Sequence, residues 1–389
     1  MFQTKTIALP TSPVVRPTVR THYRREWICL LVSLALVGQV YMALQLCSVS
    51  LPRWRHHDDT ASSTLGFGAI YAVSTRSSPR RQSLLSAGSL TGLDITIPIQ
   101  PIWTDEDVAR IRAPKNSFLD RGSALAWLGH RNALEKFLNS TDDTALIIED
   151  DVDWDTRLRT QQIPQTAYAI RELLDSQDGY YGSTELWDII WLGHCGDYFD
   201  AATGSGISAI KSFSDPAMPD LEELHPWTRG FLKEIGADQN QQRLVHASVQ
   251  PLCTFAYAIT RKAAEKVVNE LAVREPSRDP ESACKAYDVR LLEGCRDEGL
   301  RCISVNPELF HHSDLGSEIA LLSDSRSDED GDISSRKRLV DSPTTNIRCS
   351  ARSRKWKVIQ DSLTDPGINA EELVRDLAEL STDCYIDDI

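Results

Sequence analysis

No Lys/Arg block with interleaved aromatic residues occurs in the body of this 389-residue chain, and its formal net charge is −14. Both features argue against a nucleic-acid surface. The acidity itself implies little beyond solubility. No C-x-x-C spacing occurs among the nine cysteines, which argues against structural zinc. A P-loop, an H-E-x-x-H helix and a G-x-S-x-G elbow are all missing. Gly66 and Gly68 precede a strand-like run instead of following one, and Tyr71 stands where a third glycine belongs. A dinucleotide fingerprint is therefore absent as well. Nor is there an internal repeat. What remains is globular in composition, 41% apolar and 25% charged. The length suffices for one large domain or two ordinary ones.

One long uncharged run does occur, at residues 27–47, WICLLVSLALVGQVYMALQLC. Its 21 positions reach roughly 30 Å as a helix, enough for a bilayer core. Lys5, Arg16, Arg20, Arg24 and Arg25 precede it against one acid, Glu26. That excess predicts a cytoplasmic basic tail over 1–26, a transmembrane signal anchor over 27–47 and a luminal remainder. A cleaved signal peptide is the competing reading, but the lead and the apolar run are both long for one. The expected setting is a single-pass type II protein of the Golgi or endoplasmic reticulum membrane. Asn139-Ser140-Thr141 is a glycosylation acceptor triplet. Seven cysteines lie beyond the span, where disulfides are permitted. An odd number leaves at least one unpaired within the chain, and connectivity does not follow from sequence.

Residues 48–64 read as a stem, and from about 65 strand and helix patterns alternate. Strands are predicted at 67–73, 95–100, 145–148, 188–192, 255–260 and 301–305. Helices are predicted from Ser78-Pro79 through Ala87, and over 105–111, 123–138, 262–271 and 286–298. Such alternation means an α/β layer structure with a mixed, largely parallel sheet flanked by helices. Residues 321–389 read as a mixed-charge, flexible tail with a terminal helix over 369–380.

The stretch ALIIEDDVDWD, residues 145–155, places five carboxylates within seven positions at the end of a buried strand. Like charges this close repel, and burying them costs several kcal/mol, about the scale of a large pKa shift. A solvated loop avoids the cost; a bound divalent cation removes it. The calcium-loop pattern fails, because Thr156 and Gln162 stand where glycine and glutamate are required. A hard cation, Mn²⁺ or Mg²⁺, held by one or two carboxylates and a nucleotide's phosphates fits better. Ligands gather beyond the carboxyl ends of strands in such sheets. Ser74, Thr75 and Arg76 after the first strand, and Gly193 to Asp197 after DIIWL, are expected to share that site.

Together with WLGHCGD (191–197), PLCTFAYAITRKAAEKV (251–267) and YDVRLL (287–292), the acidic stretch resembles glycosyltransferase family 25, the lipopolysaccharide and collagen galactosyltransferases, in its fungal branch. The similarity covers roughly residues 66–320. It implies a GT-A-like domain over 65–320 that uses a UDP-sugar donor, galactose most commonly, with manganese and inversion at the anomeric carbon. Glu149, Asp150 and Asp151 match the D-x-D-like motif, with Asp151 as the principal ligand and His311 or His312 completing the metal shell. Asp288 is the candidate base, against the plainer reading of a helix-entry aspartate. Arg76, Arg80 and Arg81 are candidates to meet the diphosphate, against exposed helix arginines, and His194 and Asp197 are further donor-side candidates. Asp153 and Asp155 are expected to be solvated loop residues. The partners implied are a nucleotide sugar, a glycan or glycoprotein acceptor and the membrane, without nucleic acid. A catalytically inactive luminal carbohydrate- or partner-binding protein on the same fold is the alternative, and fold alone does not decide between them.

Overall fold

The computed structural model describes residues 60–199, 210–238, 241–279, 284–313, 344–353 and 384. The basic tail, the 27–47 run, most of the stem and the 369–380 helix lie outside the described residues. Among the described residues, no helix is long and apolar enough to cross a membrane.

Ten strands follow in chain order: β1 (Ala69–Val73), β2 (Ile95–Thr96), β3 (Thr144–Glu149), β4 (Val152–Trp154), β5 (Ile189–Gly193), β6 (Ile210–Ser214), β7 (Gln242–Ala247), β8 (Ala256–Thr260), β9 (Cys302–Asn306) and β10 (Phe310–His312). Eight form one sheet in the order β2-β1-β3-β8-β5-β9-β7-β6, while β4 and β10 pair separately and antiparallel. Six strands of the large sheet run the same way, and β8 and β7 run against them. The sheet is therefore mixed, with the expected parallel bias. Apolar periodicity predicts that 255–260 is a strand but carries no direction. Its reversal brings the start of β8, not its end, beside the ends of β3 and β5.

Alternation along the strands decides which residue faces which layer. Ile70, Leu146, Ile148, Ile190 and Ala258 face one core with α1 (Arg81–Leu90) and α4 (Ile163–Leu174). Tyr71, Ala145, Ile147, Trp191 and Tyr257 face the other, against α2 (Asp105–Ile111), α3 (Arg121–Leu138), α6 (Arg261–Lys266) and α7 (Tyr287–Arg296). A further helix, α5 (Pro226–Glu234), covers a small cluster around Phe231 and Leu232. Burying strands on both faces is why they read as unbroken apolar runs. Truncating one of these side chains, Ile147→Ala for instance, would cost roughly 2–5 kcal/mol.

The strand expected over 95–100 shortens to Ile95–Thr96, and three further boundaries shift for physical reasons. Ser78 does not cap α1 in the expected way, because the helix starts at Arg81, after a turn in which Ser78 Oγ accepts from the Arg80 amide at 3.3 Å. Residues 60–64, read as the end of a stem, join the fold: Ala61 is buried, its amide donates to the Arg159 carbonyl at 3.0 Å, and its carbonyl accepts from Arg159 NH1 at 3.2 Å. Residues 344–353, read as tail, form a strap on the domain. Ile347, Cys349 and Ala351 are buried there.

Among the described residues, three disulfides, Cys195–Cys253, Cys295–Cys302 and Cys349–Cys384, leave Cys284 free and buried, its thiol pushed up to about 12 by burial. Asn139 is exposed at the end of α3.

Candidate functional site

A cavity of about 590 Å³ opens at the carboxyl end of β1 and β3. The end of β1 contributes Ser74, Thr75 and Arg76; the end of β3 contributes Glu149, Asp150 and Asp151. Reversed β8 contributes Thr254 and Phe255 from the residues that lead into it, and the first turn of α7 supplies Asp288. A further wall is Gln100 to Trp103 with the start of α3, and Ile102 there is 87% exposed.

The three consecutive acids of the motif meet three different fates. Glu149 is part-exposed in the cavity, where Thr254 Oγ1 donates to its Oε1 at 2.7 Å and His130 Nε2 lies 3.4 Å away. Buried His130 is stacked on Tyr287, ring centroids 4.7 Å apart. Asp150 is buried and turned to protein partners: Ser74 Oγ donates to one oxygen and Arg80 Nε to the other at 2.9 Å. Asp151 is buried beside His312, whose Nε2 is 3.1 Å from Asp151 Oδ2. Its second oxygen, Oδ1, is buried with no hydrogen-bond partner. Burial alone would raise the Asp151 pKa, but His312 and then Arg80 outweigh it and hold the carboxyl below its usual range.

The two histidines separate. Adjacent strand residues point to opposite sides, so His312 reaches Asp151 and the cavity while His311 turns to Glu308. Glu308 is buried; desolvation opposes its charge, yet the His311 contact holds its carboxyl down to about 2. His311 is thereby corrected as a metal candidate, and Asp150 is occupied by protein partners. Among the described residues, no group of three or more His, Cys, Asp or Glu side chains is arranged to hold a metal ion. The pair that does face the cavity together is Asp151 and His312.

Asp288 lies in the cavity with both oxygens engaged. The Cys253 amide donates to Oδ2 at 3.0 Å and its own neighbour, the Val289 amide, to Oδ1 at 2.8 Å. Burial raises its pKa more than these bonds lower it, and the charge of Glu149 adds to the rise. The Cys195–Cys253 disulfide fixes the loop that makes one of these contacts.

Arg76 lines the cavity and is exposed, whereas Arg80 is nearly buried against Asp150, with its NH1 3.8 Å from Asp151. His194 and Asp197 are corrected outright. Both are fully buried away from the cavity lining. His194 Nε2 bonds the Val305 carbonyl at 2.9 Å, and Asp197 receives the Val249 and Gln250 amides and Ser304 Oγ. These residues knit the ends of β5, β7 and β9 together, so the glycine-rich turn after β5 is structural.

Asp153 and Asp155 are also corrected: they are buried and not solvated. Asp153 accepts from Thr344 Oγ1 at 2.6 Å and from the Arg352 amide at 3.1 Å. Asp155 accepts from the Arg157 side chain at 2.9 and 3.1 Å and from the Cys349 amide at 2.9 Å. The last two carboxylates of the cluster therefore bind the strap 344–353. His130, Thr254 and the strap carry no sequence signal of their own, because only folding brings them to 149–155.

No family model matches this chain, and no curated protein sequence matches it. Among solved structures it is similar to a glycosyltransferase involved in the glycosylation of the major capsid of PBCV-1. That match has 12% identity and a TM-score of 0.29, and covers 65% of this chain and 96% of the other. It is also similar to the inositol-1-phosphate CTP transferase from T. maritima, at 11% identity and a TM-score of 0.26, over 65% of this chain and 93% of that one. Likenesses this distant carry no argument about the chemistry, which rests on the cavity itself.

Proposed function

We propose that this chain is a metal-dependent glycosyltransferase. On this reading it moves a hexose, galactose foremost, from a UDP-sugar to a hydroxyl of a glycan or glycoprotein, with inversion. One observation carries the reading: Asp151, His312, Glu149 and Asp288 all face one cavity beyond the strand ends, where ligands gather in such sheets. The residues suit a hard divalent cation. Asp151 Oδ1 has an unused buried lone pair, and an imidazole nitrogen stands beside the other oxygen. Two protein ligands are enough where a diphosphate supplies the rest. A cation bound there would neutralise the departing diphosphate.

The remaining steps fall to side chains of this chain. Exposed Arg76 meets the diphosphate from the β1 end. Asp288 takes the proton of the acceptor hydroxyl, whose oxygen bonds to the anomeric carbon as the bond to the UDP oxygen breaks. A carboxylate with a raised pKa is a better base near neutral pH than an ordinary one. The membrane anchor and a luminal setting belong to the same reading, and the three disulfides support an oxidising compartment.

Arg80 favours a second reading. Its guanidinium already neutralises Asp150 and reaches toward Asp151, so the acids need no metal to remain ionised. A site without metal that binds glycans or a partner would use the same cavity.

Titration of full-length protein with UDP-galactose, UDP-glucose and other UDP-sugars, with and without Mn²⁺, separates the two readings. Binding and UDP release that require Mn²⁺, and that Asp151→Asn abolishes, are expected. Absence of nucleotide-sugar binding under all conditions would leave the binding protein as the better reading.

A further inference from the structure

The strap 344–353 does more than cover the acidic loop. It runs antiparallel to residues 153–156: Asp155 bridges to Ser350, the Ala351 amide donates to the Trp154 carbonyl at 2.8 Å, and the Thr156 amide donates to the Cys349 carbonyl at 2.9 Å. This register delivers Arg352 to the back of the motif. Its NH1 donates to the Asp150 carbonyl at 2.8 Å and to the Val152 carbonyl at 2.9 Å. Those carbonyls stand on either side of Asp151. Its NH2 donates to the Arg80 carbonyl at 3.2 Å and its Nε to Ser83 Oγ at 3.1 Å.

One planar group thus binds the backbone around Asp151 and the backbone of the residue that pairs with Asp150 and Asp151. A guanidinium presents its donors in a fixed fork; a lysine ammonium is a point charge on a flexible stem. Holding the Asp150 carbonyl in the peptide unit before Asp151, and the Val152 carbonyl one residue after it, limits how far the Asp151 carboxylate can swing from His312. The same contact holds Arg80 in register with the acids it neutralises.

We infer that Arg352 is a positioning residue for the candidate metal and diphosphate site, acting through the backbone of Asp150–Val152 and Arg80 without touching substrate. The inference rests on the metal-dependent transferase reading. It also assigns a functional contact to a segment that looks, in sequence, like a solvated tail. Outer contacts that orient ligands cost about 10–100-fold in metal affinity or activity when lost.

The test compares full-length wild type with Arg352→Ala, Arg352→Lys and a control, Thr344→Val. The control removes a strap contact to Asp153 and leaves Arg352 in place. Mn²⁺ binding would be followed by electron paramagnetic resonance with UDP present, and amide exchange by mass spectrometry over 78–84 and 148–153. Both Arg352 variants are expected to weaken Mn²⁺ binding about 10–100-fold and to speed exchange in these two segments only. Thr344→Val should lower thermal stability while leaving Mn²⁺ affinity within about twofold, since it spares every Arg352 contact. If Arg352→Ala does not fold, Arg352→Lys, which keeps the charge, decides the matter. Unchanged Mn²⁺ affinity in the Arg352 variants, with the wild type binding normally, would overturn the assignment alone. A wild type that takes up neither Mn²⁺ nor UDP would overturn it together with the transferase reading.

Discussion

His312 Nε2 sits 3.1 Å from Asp151 Oδ2, although 160 residues separate them in the chain. The short antiparallel pairing of β10 with β4 makes this contact, because His312 stands opposite Val152 in the ladder. Asp151 lies one residue before β4 and His312 ends β10, so the pairing of these two strands brings the acid and the imidazole together.

The first prediction concerns that pair. His312→Ala and Asp151→Asn should each require at least about tenfold more Mn²⁺ for half-maximal UDP binding, by analogy with the cost of losing even an outer contact. His311→Ala should change Mn²⁺ affinity little, since its ring faces Glu308. Calorimetric Mn²⁺ titration of the three variants checks this, and equal effects of the two histidines would refute the split described here.

Asp288 gives the second, through pH. Its folded pKa is raised by burial above the ordinary 3.8, so the folded state holds the proton more tightly than the unfolded chain. Stability should then fall as pH rises from the ordinary aspartate range through the raised value. Asp288→Asn removes that slope: its melting temperature relative to wild type should climb across the same window. Its transfer rate should meanwhile drop by about 10²–10⁴ if Asp288 is the base. Melting curves at a series of pH values, with transfer assays beside them, measure both.

A third prediction contrasts a buried with a solvated carboxylate. Asp155→Ala should destabilise the fold by about 3–5 kcal/mol, because it deprives the buried Arg157 guanidinium of its carboxylate. A solvated loop aspartate would cost within about 0.5 kcal/mol. Denaturant unfolding distinguishes the two outcomes.

Glu308 supplies the fourth. Its carboxyl is held to about 2 against an ordinary 4.5 by the His311 contact, despite burial. The stabilisation is complete above the ordinary glutamate range and is lost as pH falls toward 2. At most it amounts to something on the order of 3 kcal/mol. Glu308→Gln should unfold less steeply over that acid range, as circular dichroism during acid titration would reveal.

The parts of this fold that sequence made legible are those that physics writes locally. ALII and DIIWL read as strands because both faces are buried, and Asp105–Ile111 emerges as a helix behind its Thr104 capping box. The acid-rich end of β3 was legible for a related reason: charge at the end of an apolar run is visible without a partner. Asp288 was singled out only through the resemblance of YDVRLL, and the structure sets it in the first turn of α7, lining the cavity. The illegible parts depend on distance along the chain. β4 and β10 are three residues each and too polar to show periodicity. Asp153 looks solvated until Thr344, 191 residues later, covers it. His194 looks functional beside glycine, yet its partner is a backbone carbonyl on β9, which no local pattern announces.

The strap also places the site in the order of synthesis. A growing chain released through β10 has every strand of the sheet, the acidic motif and both histidines, yet lacks the guanidinium that pins the motif. Residue 352 must leave the ribosome before that clamp closes, and Cys384 later still before the strap is locked. A protein interrupted between residues 312 and 352 would hold every strand described above while its acidic loop lacked the Arg352 contacts. Assembly of the site is thus a late event in the life of each molecule, set by where in the chain one arginine is written.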